Sequence, residues 1–138
     1  MKTALITGIN GQDGSYLAEF LLEKGYDVHG IVRRNSIPEN QTARIQHIYD
    51  EVKNNIYHAD VCDMSSLLSV IYDVEPDEIY NLAAQSHVRI SFDMPSFTIQ
   101  TNALGVLNML EVYRTLVPEA KFYQHKVSKM VIYDILDR

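Results

Sequence analysis

The sequence predicts an α/β fold built on a doubly wound parallel sheet of about five strands. Short apolar runs that are typical of buried parallel strands alternate with longer segments whose apolar residues recur at helical spacing. This alternation favours right-handed crossovers, which place the strands parallel and cover both faces of the sheet with helices. The chain has 138 residues, of which 46% are hydrophobic and 22% charged, as in one ordinary globular domain.

The order of the elements follows from these two periodicities. Strands are predicted at Thr3–Thr7, Asp27–Val32, Ile56–His58, Glu78–Leu82 and Lys121–Gln124. Helices are predicted at Ser15–Lys24, which Gly25 ends, at Met64–Val74, and from Pro95 to about Leu116. Residues 35–55 are polar and irregular, and only Ile45, Ile48 and Val52 indicate a short helix there. On the long helix, we interpret Leu104, Val106, Leu107, Leu110, Val112 and Tyr113 as a core or interface stripe.

Charge and composition exclude several classes of protein. The net charge of −6 does not favour nucleic acid or an anionic membrane as a partner. No apolar run approaches the roughly 20 residues that span a bilayer, and residues 1–7 lead directly into a strand without a signal-peptide pattern. We therefore expect a cytoplasmic protein. The single cysteine, Cys62, is expected to be a small packed residue, and no metal site is predicted.

Three glycines between the first strand and the first helix carry the main functional prediction. Gly8, Gly11 and Gly14 have the spacing G-x-x-G-x-x-G, in the position where a dinucleotide-binding turn belongs. The first permits a sharp turn, the second lets backbone N–H groups approach a pyrophosphate, and the third allows close packing of the helix on the sheet. The alternative is a glycine-rich turn without a ligand.

The ends of the next strands add candidate contacts. Arg33 and Arg34 follow the second strand, where an NAD-binding protein usually has an acidic residue, so we predict NADP rather than NAD. The alternative is that they are solvent-facing charges. Asp60-Val61 follows the third strand, where the carboxylate could accept from an adenine amino group or instead cap the helix at Met64. Small residues at Leu82-Ala83-Ala84 either leave room for a ribose or simply pack.

Together these motifs resemble the extended short-chain dehydrogenase/reductase superfamily and, within it, the GDP-mannose 4,6-dehydratase family. The specific stretches are GQDGSYL at 11–17, GIVRR at 30–34 and NLAAQSHV at 81–88, and the resemblance covers residues 1 to about 124. It implies a Rossmann-like, NADP-dependent lyase in which hydride leaves the sugar C4, water is eliminated across C5 and C6, and the hydride returns to C6. It also implies that the cofactor is lined by Gly8, Asn10, Gly11, Gln12, Asp13, Arg33, Arg34, Asp60, Val61, Leu82, Ala83 and Ala84, with Gln85 and Ser86 facing the nicotinamide or the hexose. Ser36 and Arg44 resemble a loop that reaches a neighbouring subunit's cofactor, or belong to an ordinary surface loop.

The resemblance ends after the fifth strand. The family has a hydroxyl and a glutamate for its acid–base steps where this chain has Val127 and Lys129, which cannot replace them. The superfamily's Tyr-x-x-x-Lys spacing occurs only at Tyr49 and Lys53, before the third strand, where we interpret the two residues as a solvated helix pair. No catalytic residue is therefore predicted. We expect residues 1–138 to form a single NADP-binding Rossmann domain, truncated and without the substrate domain, with a tail at 125–138 that departs from the family pattern.

Two explanations of that tail stay open at this point. Either the reading frame was altered after Gln124, leaving a fragment of a dehydratase, or the chain is a natural short product that keeps the cofactor half. In both cases we expect NADP binding without turnover, with GDP-mannose as a partner only if the missing half were present. The alternative is a non-catalytic nucleotide-binding or self-associating fragment. Because the fifth strand would lie at a sheet edge without its usual neighbour, we also predict a homo-oligomer.

Overall fold

A computed structural model of the chain describes residues 1–33, 42–84 and 88–125, and these ranges contain a five-stranded parallel sheet. The strands are β1 (Thr3–Thr7), β2 (Asp27–Val32), β3 (Ile56–His58), β4 (Glu78–Asn81) and β5 (Lys121–Gln124). Their spatial order is β3-β2-β1-β4-β5, so β1 and β4 are neighbours although two strands separate them in the sequence. The predicted parallel, doubly wound sheet is confirmed.

Helices connect the strands and cover the sheet. They are α1 (Gln12–Glu23), α2 (Tyr49–Val52), α3 (Met64–Val74), α4 (Val88–Asp93), α5 (Pro95–Ile99) and α6 (Gly105–Leu116). Two 3-10 helices, Ala43–Ile48 and Lys53–Asn55, flank α2. The short helix indicated by Ile45, Ile48 and Val52 is therefore confirmed, and the helical part of the segment is longer than predicted. A π-helical turn at Gln100–Leu104 joins α5 to α6.

The first strand-turn-helix unit follows the local chemistry of its residues. β1 is an apolar run whose residues Ala4 to Thr7 are buried. α1 ends in a two-bond Schellman motif, in which the N–H of Gly25 donates to Leu22 C=O at 3.0 Å and the N–H of Tyr26 donates to Leu21 C=O at 3.0 Å. Gly25 has φ +82°, which glycine adopts without cost, and this turn returns the chain into β2.

Two apolar cores lie on the two faces of the sheet. Alternate residues of β1 divide between them, because successive side chains of a strand point to opposite faces. Ile6 packs with Ile9, Ala18 and Leu21 under α1, whereas Leu5 packs with a second group under α3 and α6. That second group includes Leu67, Ile71, Ile79, Met109 and Val112.

The structure corrects several details of the sequence interpretation. α1 begins at Gln12 rather than Ser15, and the strand predicted to end at Leu82 ends at Asn81. The expected single helix from Pro95 contains the π-helical turn, and the short α4 before it was missed. Cys62 is exposed, not packed. On the long helix, Val112 is buried, but Leu104, Leu107 and Leu110 are 51%, 52% and 41% exposed, so these three are not core residues of the described chain.

β5 lies at one edge of this sheet and β3 at the other. Among the described residues, no helix is long and apolar enough to cross a membrane.

Candidate functional site

A cleft of about 620 Å³ opens at the carboxyl ends of the strands. It lies where β1 has β2 on one side and β4 on the other, which is the point at which the strand order reverses. Open α/β sheets bind their ligands at such a switch point, because the connections leave the two strands in opposite directions and separate there. The cleft is lined by Gly8, Asn10, Ile31, Arg33, Arg44, Ala59, Asp60, Val61, Ala83, Ala84, Ile90, Phe97 and Thr101.

The glycine turn forms one wall of this cleft. Gly8 has φ +73°, and its carbonyl accepts the N–H of Gly11 at 2.9 Å. A Cβ atom at Gly14 would lie 2.1 Å from the Gly8 carbonyl oxygen, so only glycine lets α1 approach the turn this closely. Gly11 is the N-cap of α1 and has no side chain to satisfy the first-turn N–H groups, which therefore suit an anionic ligand.

A buried hydroxyl ties the glycine turn to the end of β4. Thr7 Oγ1 donates to Asn81 Oδ1 at 2.6 Å and accepts the N–H groups of Leu82 and Ala83, each at 3.0 Å. Asn81 Nδ2 continues the chain of bonds to Gln124 Oε1 at 2.8 Å. These bonds fix the backbone that turns out of β4, and so they fix the position of the small residues that follow it.

Asp60 belongs to the cleft rather than to a helix cap. The N-cap of α3 is Asp63, so the alternative that Asp60 caps the helix at Met64 is wrong. Asp60 Oδ1 instead accepts the N–H of Cys62 at 2.9 Å, which closes a tight local turn. The next residue is also fixed, because Val61 C=O accepts from Asn108 Nδ2 at 2.9 Å and its side chain packs where Gly105 leaves room on α6.

Arg33 directly follows β2 and reaches across the cleft mouth. Its guanidinium carbon lies 5.1 Å from the ring centroid of Phe97 on α5, within the range of a cation–π contact. Arg33 and Phe97 also line an adjoining cleft of about 520 Å³, together with His58 and Asp63. The cationic Arg33 and the acidic Asp60 therefore line the same two clefts.

The remaining predicted cofactor residues are placed around the cleft or lie outside the described chain. Gly11 and Leu82 shape the backbone without lining the cleft. Gln12 and Asp13 are exposed in the first turn of α1, and Asp13 Oδ2 lies 3.7 Å from His125 Nε2. The residues outside the described ranges are Arg34, Ser36, Gln85, Ser86, Val127 and Lys129.

Five residues that the sequence did not assign to the cofactor complete the lining: Ile31, Ala59, Ile90, Phe97 and Thr101. Phe97 and Thr101 come from α5 and the π-helical turn, far from the glycines in the sequence. Such turns are frequent at functional sites, but no local sequence pattern distinguishes this one from ordinary helix. For Arg44 the sequence left two alternatives open, a loop that reaches a neighbouring subunit's cofactor or an ordinary surface loop. In the structure Arg44 lies in the first 3-10 helix and lines the cleft.

The remaining candidates for reactive groups are Cys62, the Tyr49–Lys53 pair and any cluster of metal ligands. Cys62 is exposed as a residue, but partial burial of its thiol raises the pKa of that group, and a hydrogen bond between the sulfur and Thr101 Oγ1, 3.9 Å apart, opposes the rise. Tyr49 and Lys53 line no part of the cleft, and Lys53 Nζ pairs with Asp50 Oδ1 at 3.3 Å. In the ranges that the structure describes, no group of three or more His, Cys, Asp or Glu side chains is placed to hold a metal ion.

The fold and the switch-point cleft define a Rossmann-like domain of the short-chain dehydrogenase/reductase type. In solved structures the same fold occurs in a UDP-glucose 4-epimerase from Thermus thermophilus, described as a complex with NAD, with a TM-score of 0.70 and 27% identity over 83% of this chain and 34% of that one. The family model for GDP-mannose 4,6 dehydratase matches residues 5–130. This chain belongs to that family.

Two curated relatives show how much of a family member is represented here. The GDP-mannose 4,6-dehydratase of Vibrio cholerae serotype O1 is 49% identical over 136 residues, and the human GDP-mannose 4,6 dehydratase is 50% identical over 137 residues. In both comparisons the match covers 94% of this chain and 36% of the relative. The chain therefore spans about a third of the length of these relatives.

Proposed function

We propose that this chain binds NADP in the switch-point cleft. The observation that carries the proposal is a convergence: seven residues that the sequence assigned to the cofactor, from four separate strand ends, line one cleft. They are Gly8, Asn10, Arg33, Asp60, Val61, Ala83 and Ala84. The carboxyl ends of parallel strands meet at one edge of the sheet, and there these residues surround a single cavity of about 620 Å³.

The shape and charge of the cleft fit a dinucleotide. Glycine suits position 8 because of its φ of +73°, and a Cβ atom added there would fill part of the space beside the backbone of Ala83, 3.5 Å away. The first turn of α1 offers N–H groups and a partial positive charge to the pyrophosphate. In this proposal Asp60, which lines the cleft, accepts from the adenine amino group, and the small side chains of Ala83 and Ala84 on the same lining leave room for a ribose.

Arg33 supports the phosphorylated cofactor over the unphosphorylated one. It occupies the position where NAD-binding proteins present an acidic residue to the ribose 2′-hydroxyl. A guanidinium donates two parallel hydrogen bonds to a phosphate, whereas a free hydroxyl gains little from it. Bound NADP would supply a nicotinamide ring that accepts and returns a hydride.

For the complete enzyme we propose the activity named in its relatives, the 4,6-dehydration of GDP-mannose, with this chain contributing the cofactor-binding part. By itself we propose that the chain binds NADP without turnover. The support is chemical: Val127 and Lys129 occupy the positions of the family's hydroxyl and glutamate and cannot perform its acid–base steps. A cytoplasmic location and a homo-oligomeric state stay predictions from the sequence.

Calorimetric titration of the chain with NADP and, separately, with NAD tests this proposal. We expect NADP to bind at least about tenfold tighter, a difference of about 1.4 kcal/mol. Arg33→Ala should remove most of that preference by weakening NADP binding alone. The matched control is Arg114→Ala, which removes an exposed arginine paired with Glu111 on α6 and should keep the preference.

Equal affinity for both nucleotides in the unsubstituted chain would contradict the role of Arg33. Binding of neither would contradict the proposed function and favour a self-associating fragment. An assay with GDP-mannose and NADP completes the test, since product formation by this chain would contradict the absence of turnover.

A further inference from the structure

We propose that Phe97 is a positioning residue that holds the Arg33 guanidinium at the 2′-phosphate subsite and so contributes to the preference for NADP. This inference rests on the proposed function. No pattern in the sequence assigns a role to Phe97, and only its position in the structure indicates one. Its ring centroid lies 5.1 Å from the guanidinium carbon of Arg33.

The position of the pair in the molecule indicates what it does. Arg33, Phe97, Ala59 and Asp60 line both the cleft of about 620 Å³ and the adjoining cleft of about 520 Å³. The Arg33–Phe97 pair therefore stands on the boundary between the two, beside the carboxylate proposed to meet the adenine. A phosphate on the adenosine ribose would reach the protein at this boundary.

The geometry of a cation–π contact leaves the arginine free to bind phosphate. The aromatic ring covers one face of the guanidinium, while the N–H groups point outward in its plane. A phosphate can then accept two parallel bonds at the edge of the guanidinium without displacing the ring. Arg33 is exposed, so without the ring its long side chain would lose more conformational freedom on binding.

The ring itself belongs to a fixed backbone. Phe97 lies within α5, where the N–H of Thr98 donates to Met94 C=O at 3.1 Å. At the other end of α5, the N–H of Gln100 donates to Phe97 C=O. The ring therefore projects from a bonded helical turn, which is what a positioning residue requires.

Titration with two nucleotide fragments isolates this contact. Adenosine 2′,5′-bisphosphate and adenosine 5′-monophosphate differ only in the 2′-phosphate, so the ratio of their affinities reports the Arg33 subsite. Phe97→Leu keeps an apolar side chain but removes the ring, and we expect it to lower that ratio about two- to fivefold through the bisphosphate alone. Phe97→Tyr keeps the ring and should keep the ratio.

A second cation–π pair on the same chain supplies the matched control. The Lys24 ammonium lies 4.8 Å from the ring centroid of Phe20 on α1, outside the cleft lining. Phe20→Leu therefore removes an exposed aromatic ring of the same kind and should leave the affinity ratio unchanged. If Phe20→Leu lowered the affinity ratio as much as Phe97→Leu does, the proposal would be overturned.

A measurement without nucleotide separates this proposal from the proposed function. The ring current of Phe97 should shift the NMR signal of the Arg33 Hε proton, and the shift should disappear in Phe97→Leu but persist in Phe97→Tyr and Phe20→Leu. An unchanged Arg33 signal or an unchanged affinity ratio in Phe97→Leu would overturn the role of Phe97 alone. If the unsubstituted chain binds neither fragment, the proposed function fails, and this role fails with it.

Discussion

The two walls of the cleft are built in different ways. The glycine wall, Gly8 to Gly14, shapes the site with backbone: a turn at positive φ, a carbonyl packed against a helix start, and N–H groups at a helix end. The helical wall, formed by Ile90, Phe97 and Thr101, shapes it with side chains from α4, α5 and the π-helical turn. One wall depends on the absence of side chains and the other on their presence.

This difference determines how each wall responds to substitution. Backbone atoms cannot turn aside as a side chain can, so a Cβ atom added at Gly14 must displace α1 from the glycine turn. In the helical wall, Ile90 is 37% exposed, and a changed side chain can rearrange toward solvent. We therefore expect large stability effects in the first wall and small, ligand-specific effects in the second.

The largest effect is expected for Gly14→Ala. The new Cβ would lie 2.1 Å from the Gly8 carbonyl oxygen and 2.9 Å from Ile9 Cα, and neither atom can turn aside. We expect the free energy of unfolding to fall by at least about 3 kcal/mol, measured by urea denaturation. Gly25→Ala is the matched control: it adds the same methyl group with no atom within 4 Å, at a cost of about 1 kcal/mol for its positive φ. Similar losses in both variants would mean that the turn accepts a side chain.

A smaller effect is expected for Thr7→Val, at the joint between the glycine wall and β4. The substitution keeps the shape but removes a buried hydroxyl, leaving Asn81 Oδ1 and the N–H groups of Leu82 and Ala83 without that partner. We expect the free energy of unfolding, measured by urea denaturation, to fall by about 2–4 kcal/mol. Thr115→Val is the control: the exposed Thr115 hydroxyl donates to the helix backbone at Glu111 C=O, and its removal should change stability by less than about 0.5 kcal/mol. A cost for Thr7→Val no larger than the control would show that the network does not hold the strand ends together.

The glycine wall could be predicted from the sequence because its causes are local. Gly8 has a positive φ, the positions of Gly11 and Gly14 lie close to the Gly8 carbonyl, and the flanking strand and helix have clear periodicities. The same holds for β2, β3 and β5 and for α3, whose predicted ends agree with the structure. The carboxyl ends of parallel strands meet at one edge of the sheet, so Arg33, Asp60 and Ala83 could be assigned to one site before any distance was known.

The helical wall could not be predicted because its causes are distant. The π-helical turn that carries Thr101 leads into α6, which packs on α3 and on the loop at Val61. The sequence interpreted the apolar residues of α6 as core or interface without dividing them, and the structure divides them: Met109 and Val112 are buried, while Leu107 and Leu110 are exposed. Which face of such a helix becomes buried is decided by its partners, which the sequence of the helix does not contain.

The smallest effect tests the helical wall through the thiol beside it. Burial raises the pKa of Cys62, the Thr101 hydroxyl opposes the rise by stabilising the thiolate, and the Asp60 charge adds to it. Thr101→Val should therefore move the pKa further up and Asp60→Asn should move it down. The pH dependence of alkylation by iodoacetamide measures both, since only the thiolate reacts and the rate climbs as pH passes the pKa. If the pKa of Cys62 shifted in the same direction in both variants, Thr101 and Asp60 would not act on the thiol in opposite ways. The contact between the helical wall at Thr101 and the segment after β3 that carries Asp60 and Cys62 would then be contradicted.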